Sequence, residues 1–370
     1  MKFTCQKSEL VKTLQIISKA FTPNPQTPIL SGIYIKCLEK ENIELRSTDH
    51  EIGIIAQLPA DIEEMGEVIV SGKYFQDIVR SMPGETISLN ASYESRIVKI
   101  TSGAASFDIM SMKGEYPLIK MSDATVNIKI KNDRLSELIQ KTSFACSRDE
   151  KRPVFTGCLI ELDNDKITMA ATNTHRLAVQ HEELTAGDGV HHYIIPSKYL
   201  PEVSNIFATE VPEDITLSFS DSRVCFHNEK VQITLRFIEG NFPDYKRVIP
   251  NKFATVIRLK TEDFKRAVER VSLIARHDDY KIMRFVFKDN KVKISSNNPL
   301  IGCAEETMMA EIEGPEVNIA FNFTYMADVL KNIVTPVFNL SLNMPLMPGL
   351  IEEPENDTYT YIITPVKTKH

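Results

Sequence analysis

Histidines and paired carboxylates are the residues of this sequence that could perform metal chemistry. His175, His181 and the pair His191-His192 follow one another closely, and acidic pairs stand at Asp163/Asp165, Asp278/Asp279, Glu305/Glu306 and Glu352/Glu353. Imidazole and carboxylate groups bind divalent cations in proteins. No cysteine or carboxylate stands at ligand spacing beside the histidines, however. We therefore predict loop histidines, acidic pairs in turns or on the surface, and neither a metal site nor a cofactor.

Phosphate-binding and nucleophilic motifs are missing from the sequence. The segment from Gly66 to Tyr74 approaches a P-loop, but it has five residues between its glycines and Tyr74 where the Mg²⁺-binding hydroxyl belongs. No GxGxxG or GxSxG occurs, and the chain has only 14 glycines. The polar run from Thr172 to Leu177, between two apolar segments, is either a capped turn or the rim of a binding pocket.

Length and composition narrow the class of protein. A chain of 370 residues predicts two or three domains. The net charge of −7 excludes an overall basic surface for nucleic acid. The six cysteines form no CxxC motif, which favours reduced thiols in the cytoplasm. The N-terminus lacks a signal-peptide pattern, and the uncharged stretch 332–351 contains three prolines, so we predict no membrane span.

Three repeats organise the chain. Residues 2–17, 127–142 and 256–271 each read as an alternating strand followed by an amphipathic helix. A hairpin follows in each copy, and Pro28 and Gly32 correspond to Pro153 and Gly157. A strand and a second helix come next, with Tyr74, Tyr199 and Tyr325 aligned, and two further strands close the copy.

These repeats predict an α+β chain with more strand than helix and three domains. The predicted domains are 1–121, 122–250 and 251–370. The predicted helices are 7–20, 73–82, 133–148, 198–207, 261–276 and 322–332, and they carry a net charge of +5, which leaves −12 elsewhere.

Several motifs resemble the β sliding clamp family of bacterial DNA polymerase III. They are the opening MKFT, the block from Pro28, ATNTHRLAV at 171–179, EGNFPDYKRVIP at 239–250 and YIITPV at 361–366, and the resemblance spans the whole chain in order. It implies three tandem copies of the DNA clamp fold in a ring-shaped head-to-tail homodimer, with helices lining the hole and sheets outside. A closed ring holds DNA by topology and does not need strong electrostatic attraction, so the net negative charge of the chain is compatible with such a ring.

The resemblance also implies function, partners and site residues. Such a ring is not an enzyme: it encircles duplex DNA without sequence specificity and tethers the replicative polymerase, while the clamp loader and other proteins share one pocket for a short peptide ending in Leu and Phe. The implied pocket lies between the second and third domains, with Arg176, Arg247, His175 and Asn322 as polar anchors at its rim. Its residues are Phe155, Thr172, His175, Arg176, Leu177, Pro243, Arg247, Val248, Asn322, Tyr325, Leu346, Pro348, Ile362, Ile363, Pro365 and Val366.

Two further surfaces follow from the same resemblance. At the dimer interface, Phe107 and Ile109 of one chain would pack against Leu273 and Ile274 of its partner, unless they are simply core residues. The implied DNA-binding residues are Asn24, Lys73, Arg80, Lys141, Arg148, Arg152 and Lys198.

Two alternatives from other classes remain at this stage. A DNA-acting enzyme with a metal bound by scattered carboxylates and His175 would turn over substrate with a divalent ion. A repeat scaffold unrelated to DNA would share the modules but would not bind clamp-type peptides.

Overall fold

The computed structural model describes residues 1–22, 25–39, 41–119, 121–184, 189–276, 281–354 and 356–367. The chain divides into two compact units, Met1–Asn132 with Glu202–Phe237, and Asp133–Pro201 with Ile238–His370. This division follows the sheets, so the second predicted domain contributes strands to both units.

The three repeats share one order of elements, apart from a short strand that is described only in the first and third; the elements are numbered here along the chain. The first contains β1 (Lys2–Gln6), α1 (Lys7–Ile17), β2 (Gly32–Leu38), β3 (Asn42–Thr48), β4 (Ile52–Pro59), β5 (Asp61–Glu64), β6 (Glu67–Ser71), α2 (Gly72–Ser81), β7 (Thr86–Ala91), β8 (Ile97–Ser102) and β9 (Ala105–Met110). The second contains β10 (Val126–Lys131), α3 (Asn132–Thr142), β11 (Gly157–Asp163), β12 (Lys166–Thr172), β13 (Arg176–Glu183), β14 (Val190–Pro196), α4 (Leu200–Phe207), β15 (Asp214–Phe219), β16 (Arg223–His227) and β17 (Val231–Arg236).

The third repeat matches the first element by element, and its short strand β22 corresponds to β5, for which the second repeat has no described counterpart. It contains β18 (Thr255–Lys260), α5 (Thr261–Ala275), β19 (Ile282–Lys288), β20 (Lys291–Asn298), β21 (Gly302–Met309), β22 (Glu311–Glu313), β23 (Val317–Asn322), α6 (Phe323–Leu330), β24 (Val337–Leu342), β25 (Gly349–Glu353) and β26 (Asn356–Ile363).

The first unit contains two antiparallel sheets. One has five strands in the order β5-β1-β7-β8-β9, and the other has eight in the order β10-β15-β16-β17-β4-β3-β2-β6. Pairing of β4 with β17 joins strands of the first and second repeats, with Gly53 opposite Thr234.

The second unit has the same construction. A nine-stranded sheet runs β14-β11-β12-β13-β26-β25-β24-β18-β22, and a four-stranded sheet runs β21-β20-β19-β23. Pairing of β13 with β26 joins the second and third repeats, with Leu177 opposite Ile362.

Helix placement follows from the apolar spacing and from the strand before each helix. In α1, Leu10, Leu14 and Ile17 form one buried face. The first helix of each repeat begins directly after a strand, and its first amide donates to a backbone carbonyl of the segment after the second helix. These hydrogen bonds are Lys7 to Glu85, Asn132 to Glu213 and Thr261 to Pro336, at 2.8, 2.9 and 2.9 Å. They satisfy an amide that a helix itself leaves free.

Most predicted elements are confirmed, with three corrections. Predicted helix 133–148 was too long, because α3 ends at Thr142 and only a 3₁₀ turn, Ser143–Ala145, follows. Three strands rather than two close each repeat, and an extra strand (β4, β13 or β21) follows each hairpin. His181 lies in β13, and His191 and His192 lie in β14, so they are not loop residues.

Candidate functional site

The turn between β12 and β13 forms the centre of the candidate pocket. The Thr172 hydroxyl donates to the Arg176 carbonyl at 2.6 Å, and the Asn173 carboxamide oxygen accepts from the amides of His175 and Arg176 at 3.0 and 3.1 Å. Thr174 has φ +76°, a conformation that β-branched residues rarely adopt. These bonds hold the turn and leave the His175 side chain exposed. The polar run is therefore a capped turn, as the first of its two interpretations has it, while the second, the rim of a binding pocket, stays a prediction.

Arg176 lies beneath this turn and not at a rim. Its side chain is only 7% exposed and pairs with Asp328 at 2.7 Å. The guanidinium also donates to the carbonyls of Phe144 and Ala145, and it lies 4.7 Å from the centre of the Tyr325 ring. Its hydrogen-bonding capacity is directed at the protein itself. The expectation that Arg176 is a polar anchor at the pocket rim is wrong, because its side chain is buried; it positions the turn and Tyr325.

Tyr325 joins the turn to the third repeat. Its ring stacks on His175 with centroids 6.4 Å apart, and its carbonyl accepts the Tyr361 hydroxyl at 2.9 Å. Burial raises the pKa of Tyr361, so this hydroxyl stays protonated and donates. Asn322 caps α6 by accepting from the Thr324 amide at 2.9 Å. The half-buried Tyr325 ring thus occupies a fixed position.

Buried aliphatic side chains pack together on the strands that flank the turn. Leu177 and Ile362 belong to one core cluster with Leu350 and Tyr245. Ile363 is fully buried. The Thr364 amide donates to the His175 carbonyl and the Val366 amide to the Ala320 carbonyl, at 2.9 and 2.7 Å. These bonds fix half-buried Pro365 and Val366 beside the turn.

The remaining pocket residues lie on three connecting segments of the same unit, before β11, after β17 and between β24 and β25. Phe155 meets Phe242 edge to face at 6.5 Å, and Pro243 follows Phe242 in the chain. Val248 and Leu346 are 53% and 63% exposed, so apolar surface is open to solvent there. Pro348, after Leu346, is half-buried. The Arg247 side chain is 85% exposed and pairs with Asp244 at 2.8 Å, which suits a rim position.

Sequence reasoning missed the residues that hold Arg176. Phe144 and Ala145 contribute only backbone carbonyls, for which a sequence has no signal. Asp328 had a detectable signal, because it lies three residues after Tyr325 on α6, on the same helix face.

Exposed apolar residues also occur on two sheet edges. Strand β9 is an edge of the five-stranded sheet and β21 an edge of the four-stranded one. On β9, Phe107 is 42% exposed and Ile109 is partly exposed. On α5, which packs on β21, Leu273 is 58% exposed and Ile274 partly so. None of these four residues is fully buried core.

The predicted DNA-binding residues separate into three groups. Lys73 and Arg80 on α2, Arg148 and Arg152 in the loop after α3, and Lys198 are exposed. Lys141 is buried, with its ammonium paired to Glu353 and 4.7 Å from the centre of the Tyr359 ring. The prediction for Lys141 is therefore wrong, because a buried ammonium cannot reach a phosphate. Asn24 lies outside the described residues.

Metal ligands do not converge in the part of the chain that the structure describes. Glu305 and Glu306 pair with Lys293 and Arg270 at 2.7 and 2.5 Å, and Asp278 and Asp279 lie outside the described ranges. Among the described helices, none has the length and apolar character needed to cross a bilayer. The uncharged stretch 332–351 contains β24.

Comparison with known proteins covers the whole chain. Three family models match in succession: the N-terminal domain of the DNA polymerase III beta subunit over residues 1–120, its central domain over 129–244 and its C-terminal domain over 246–367. The beta sliding clamp of Bacillus subtilis (strain 168) is 32% identical over 380 residues, which cover 100% of both proteins.

Solved structures agree with the family match. The DNA polymerase sliding clamp from Bacillus subtilis has a TM-score of 0.94 at 32% identity, and a sliding clamp from Pseudomonas aeruginosa bound to griselimycin has a TM-score of 0.94 at 25% identity. Each covers 100% of both chains.

Proposed function

The chain belongs to the DNA polymerase III beta subunit family, the non-catalytic sliding clamps, and on this premise we propose how its own residues close the ring and hold partners. Two copies close head to tail around duplex DNA, and each carries one peptide pocket beside the 172–177 turn. We propose domain boundaries at 121/122 and 250/251, as the repeats of the sequence predict. The clamp acts on the chromosome, which places it in the cytoplasm of a bacterial cell.

The pattern of strand pairing carries this proposal. The strand after each hairpin is β4, β13 or β21, and the last strand of each repeat is β9, β17 or β26. Strand β4 pairs with β17, and β13 pairs with β26. Among these strands, the ones that remain at the edges of the described sheets are β21, which follows a hairpin, and β9, which ends a repeat. Pairing β21 with β9 of a second copy repeats the same junction and removes two exposed edges.

A charge placed on this edge tests the dimer. Phe107→Asp puts a carboxylate where the proposal buries Phe107 against the partner, which costs several kcal/mol unless it is paired. Sedimentation velocity should then give the 41.9 kDa monomer, whereas wild type gives twice that mass. Val211→Asp is the matched control, since Val211 is 71% exposed in the segment before β15, a strand of the other sheet of this unit, and should leave the dimer intact. A dimeric Phe107→Asp variant would disprove this interface.

DNA binding rests on exposed basic side chains and on topology. Five of the predicted basic residues are exposed and can approach phosphates: Lys73, Arg80, Arg148, Arg152 and Lys198. Because a closed ring retains DNA without tight contacts, these residues need only guide the duplex, without reading its sequence. Strong phosphate contacts would oppose sliding.

The pocket receives the short peptide of a polymerase, a clamp loader or another replication or repair factor. Exposed Val248 and Leu346 can cover the peptide's Leu and Phe, above the floor that Leu177 and Ile362 form. Apolar walls with a few polar groups are the usual composition of a peptide groove. Because Arg176 and Asp328 hold Tyr325 in place, the wall is organised before the peptide arrives.

A fluorescent peptide with the sequence Gln-Leu-Ser-Leu-Phe tests the pocket by anisotropy. Saturable binding to wild type should weaken at least about tenfold in Tyr325→Ala, a loss of ~1.4 kcal/mol. Tyr74→Ala is the matched control, because Tyr74 aligns with Tyr325 in the first repeat and is 66% exposed. Equal loss in both variants, or no binding to wild type, would contradict the proposed pocket. Absence of binding would favour a clamp whose partners use another motif.

A further inference from the structure

Cys146 and Cys158 are buried thiols whose sulfur atoms lie 3.6 Å apart. Cys146 follows the 3₁₀ turn Ser143–Ala145, and Cys158 is the second residue of β11. The Ser147 amide donates to the Phe155 carbonyl at 2.8 Å, which fastens the two segments together beside the sulfurs. A disulfide has an S–S length of about 2.05 Å, so the sulfurs need to approach by only ~1.5 Å.

We propose that Cys146 and Cys158 are a reversible dithiol–disulfide site, oxidised by a peroxide, and that the disulfide weakens peptide binding at the neighbouring pocket. The second half rests on the proposed function. None of the roles given above to the clamp's pocket, edges or helices uses these thiols.

The two thiols lie in different surroundings. The hydrogen bond between Cys146 and Cys158, aided by Ser197 and the charge of Arg176, holds the pKa of the Cys146 thiol below its ordinary value despite burial. The same hydrogen bond and burial raise the pKa of Cys158. Cys146 keeps 8% of its surface exposed, whereas Cys158 keeps none, so peroxide reaches Cys146 first. Cys146 is therefore the thiol that attacks, as its thiolate, and Cys158 the thiol that resolves.

The chemistry balances with one molecule of hydrogen peroxide. The Cys146 thiolate attacks a peroxide oxygen, the O–O bond breaks, and the released hydroxide takes a proton to form water, which leaves a sulfenic acid. The Cys158 sulfur then attacks the Cys146 sulfur, the S–S bond forms, and the S–O bond breaks to release a second water with the Cys158 proton. Two thiols are oxidised by two electrons, and the peroxide is reduced.

The effect on the pocket follows from the residues just before Cys146. The Phe144 and Ala145 carbonyls accept hydrogen bonds from Arg176, which lies against Tyr325. When Cys146 moves toward β11, these carbonyls move with it, and the guanidinium loses part of its support. The Tyr325 wall is then less well organised, so the peptide binds more weakly.

Peptide mapping of the full chain tests the site. Cys303→Ser removes the exposed thiol and serves as the background. After peroxide treatment, non-reducing digestion should yield a linked pair of peptides containing Cys146 and Cys158, with the loss of two titratable thiols. Cys158→Ser in that background is the matched control and should give no link. The peroxide concentration is one that oxidises Cys303 of the wild-type protein. If Cys146 and Cys158 stay as free thiols at that concentration, or if they link to other cysteines, the site is disproved.

Anisotropy of the labelled peptide tests the coupling on the same samples. The oxidised protein should bind several-fold more weakly, with recovery after dithiothreitol, and the Cys158→Ser control should not show this reversible loss. A linked protein with unchanged affinity would disprove the coupling. If the reduced protein binds no peptide, the proposed pocket fails, whereas the mapped link still decides the disulfide independently.

Discussion

Two junctions between repeats use the same turn but present different surfaces. At the junction of β4 with β17, the Thr48 hydroxyl donates to the Ile52 carbonyl at 2.7 Å, and Asp49 accepts from the amides of Glu51 and Ile52. At the junction of β13 with β26, Thr172 and Asn173 make the same bonds. The third residue of each turn has positive φ, +77° at His50 and +76° at Thr174.

The difference lies in what covers the strand after the turn. Gly53 stands where the second junction has Leu177, and a Cβ on Gly53 would lie 2.5 Å from the Ile119 side chain. Ile119 therefore occupies the space over the strand, beside a remaining cavity of about 20 Å³. At the second junction, Val248 and Leu346 stay exposed. The same strands and turn are thus covered by Ile119 at the first junction. At the second junction they are left open, as a binding site requires.

The largest expected effect is at the turn's fifth residue, which is Ile52 in the first junction and Arg176 in the second. Arg176→Met keeps an aliphatic chain but removes the guanidinium from Asp328, which retains Lys331 at 3.6 Å, and leaves two carbonyls without their donor. We expect a loss of about 3 kcal/mol in the free energy of unfolding by urea, since each buried acceptor that loses its donor costs about 1–3 kcal/mol. Ile52→Met conserves volume and should cost under ~1.5 kcal/mol. Equal losses would mean that Arg176 acts only by packing.

Gly53→Leu places a leucine at the first junction, where the second junction has Leu177. The new side chain collides with Ile119, so we expect a loss of about 2 kcal/mol from overpacking. In the double variant with Ile119→Ala, part of this loss should be recovered, because the collision is removed. Urea unfolding of the two single variants and the double variant measures this coupling. Additive losses would show that the two residues do not compete for one space.

Ile119→Ala alone should have a smaller effect. Ile119 is half-buried, so removal of its outer carbons should cost about 1 kcal/mol, roughly half the value for full burial. Thermal unfolding measures this loss. An unchanged melting temperature would mean that Ile119 does not fill the first junction.

The smallest expected effect comes from relief of the positive φ shared by both turns. Thr174→Gly and His50→Gly remove a Cβ from this conformation at exposed positions. Each should gain about 0.5 kcal/mol of stability, after the entropy cost of glycine in the unfolded chain. Differential scanning calorimetry compares the two gains. A gain at one turn and a loss at the other would show that the turns differ in strain.

Sequence patterns predicted the repeated elements because each depends on local spacing. The apolar positions of α1 and α5 and the hairpin turns are visible at short range. The extra strand after each hairpin was missed because β4 and β13 are paired on both sides within large sheets, and their apolar runs lack clear alternation. Lys141 was assigned to a surface because a sequence does not reveal a distant buried partner such as Glu353. For Arg176, the position of Asp328 one helical turn after Tyr325 was a signal that the sequence reasoning overlooked.

Calorimetric titration with the Gln-Leu-Ser-Leu-Phe peptide tests the central claim most directly, because it counts the sites. One peptide should bind per chain, and Tyr325→Ala should abolish or strongly weaken this binding while Ile119→Ala leaves both its stoichiometry and affinity unchanged. Two peptides per wild-type chain, or full binding by Tyr325→Ala, would contradict an account in which the first junction is closed and the second is the site.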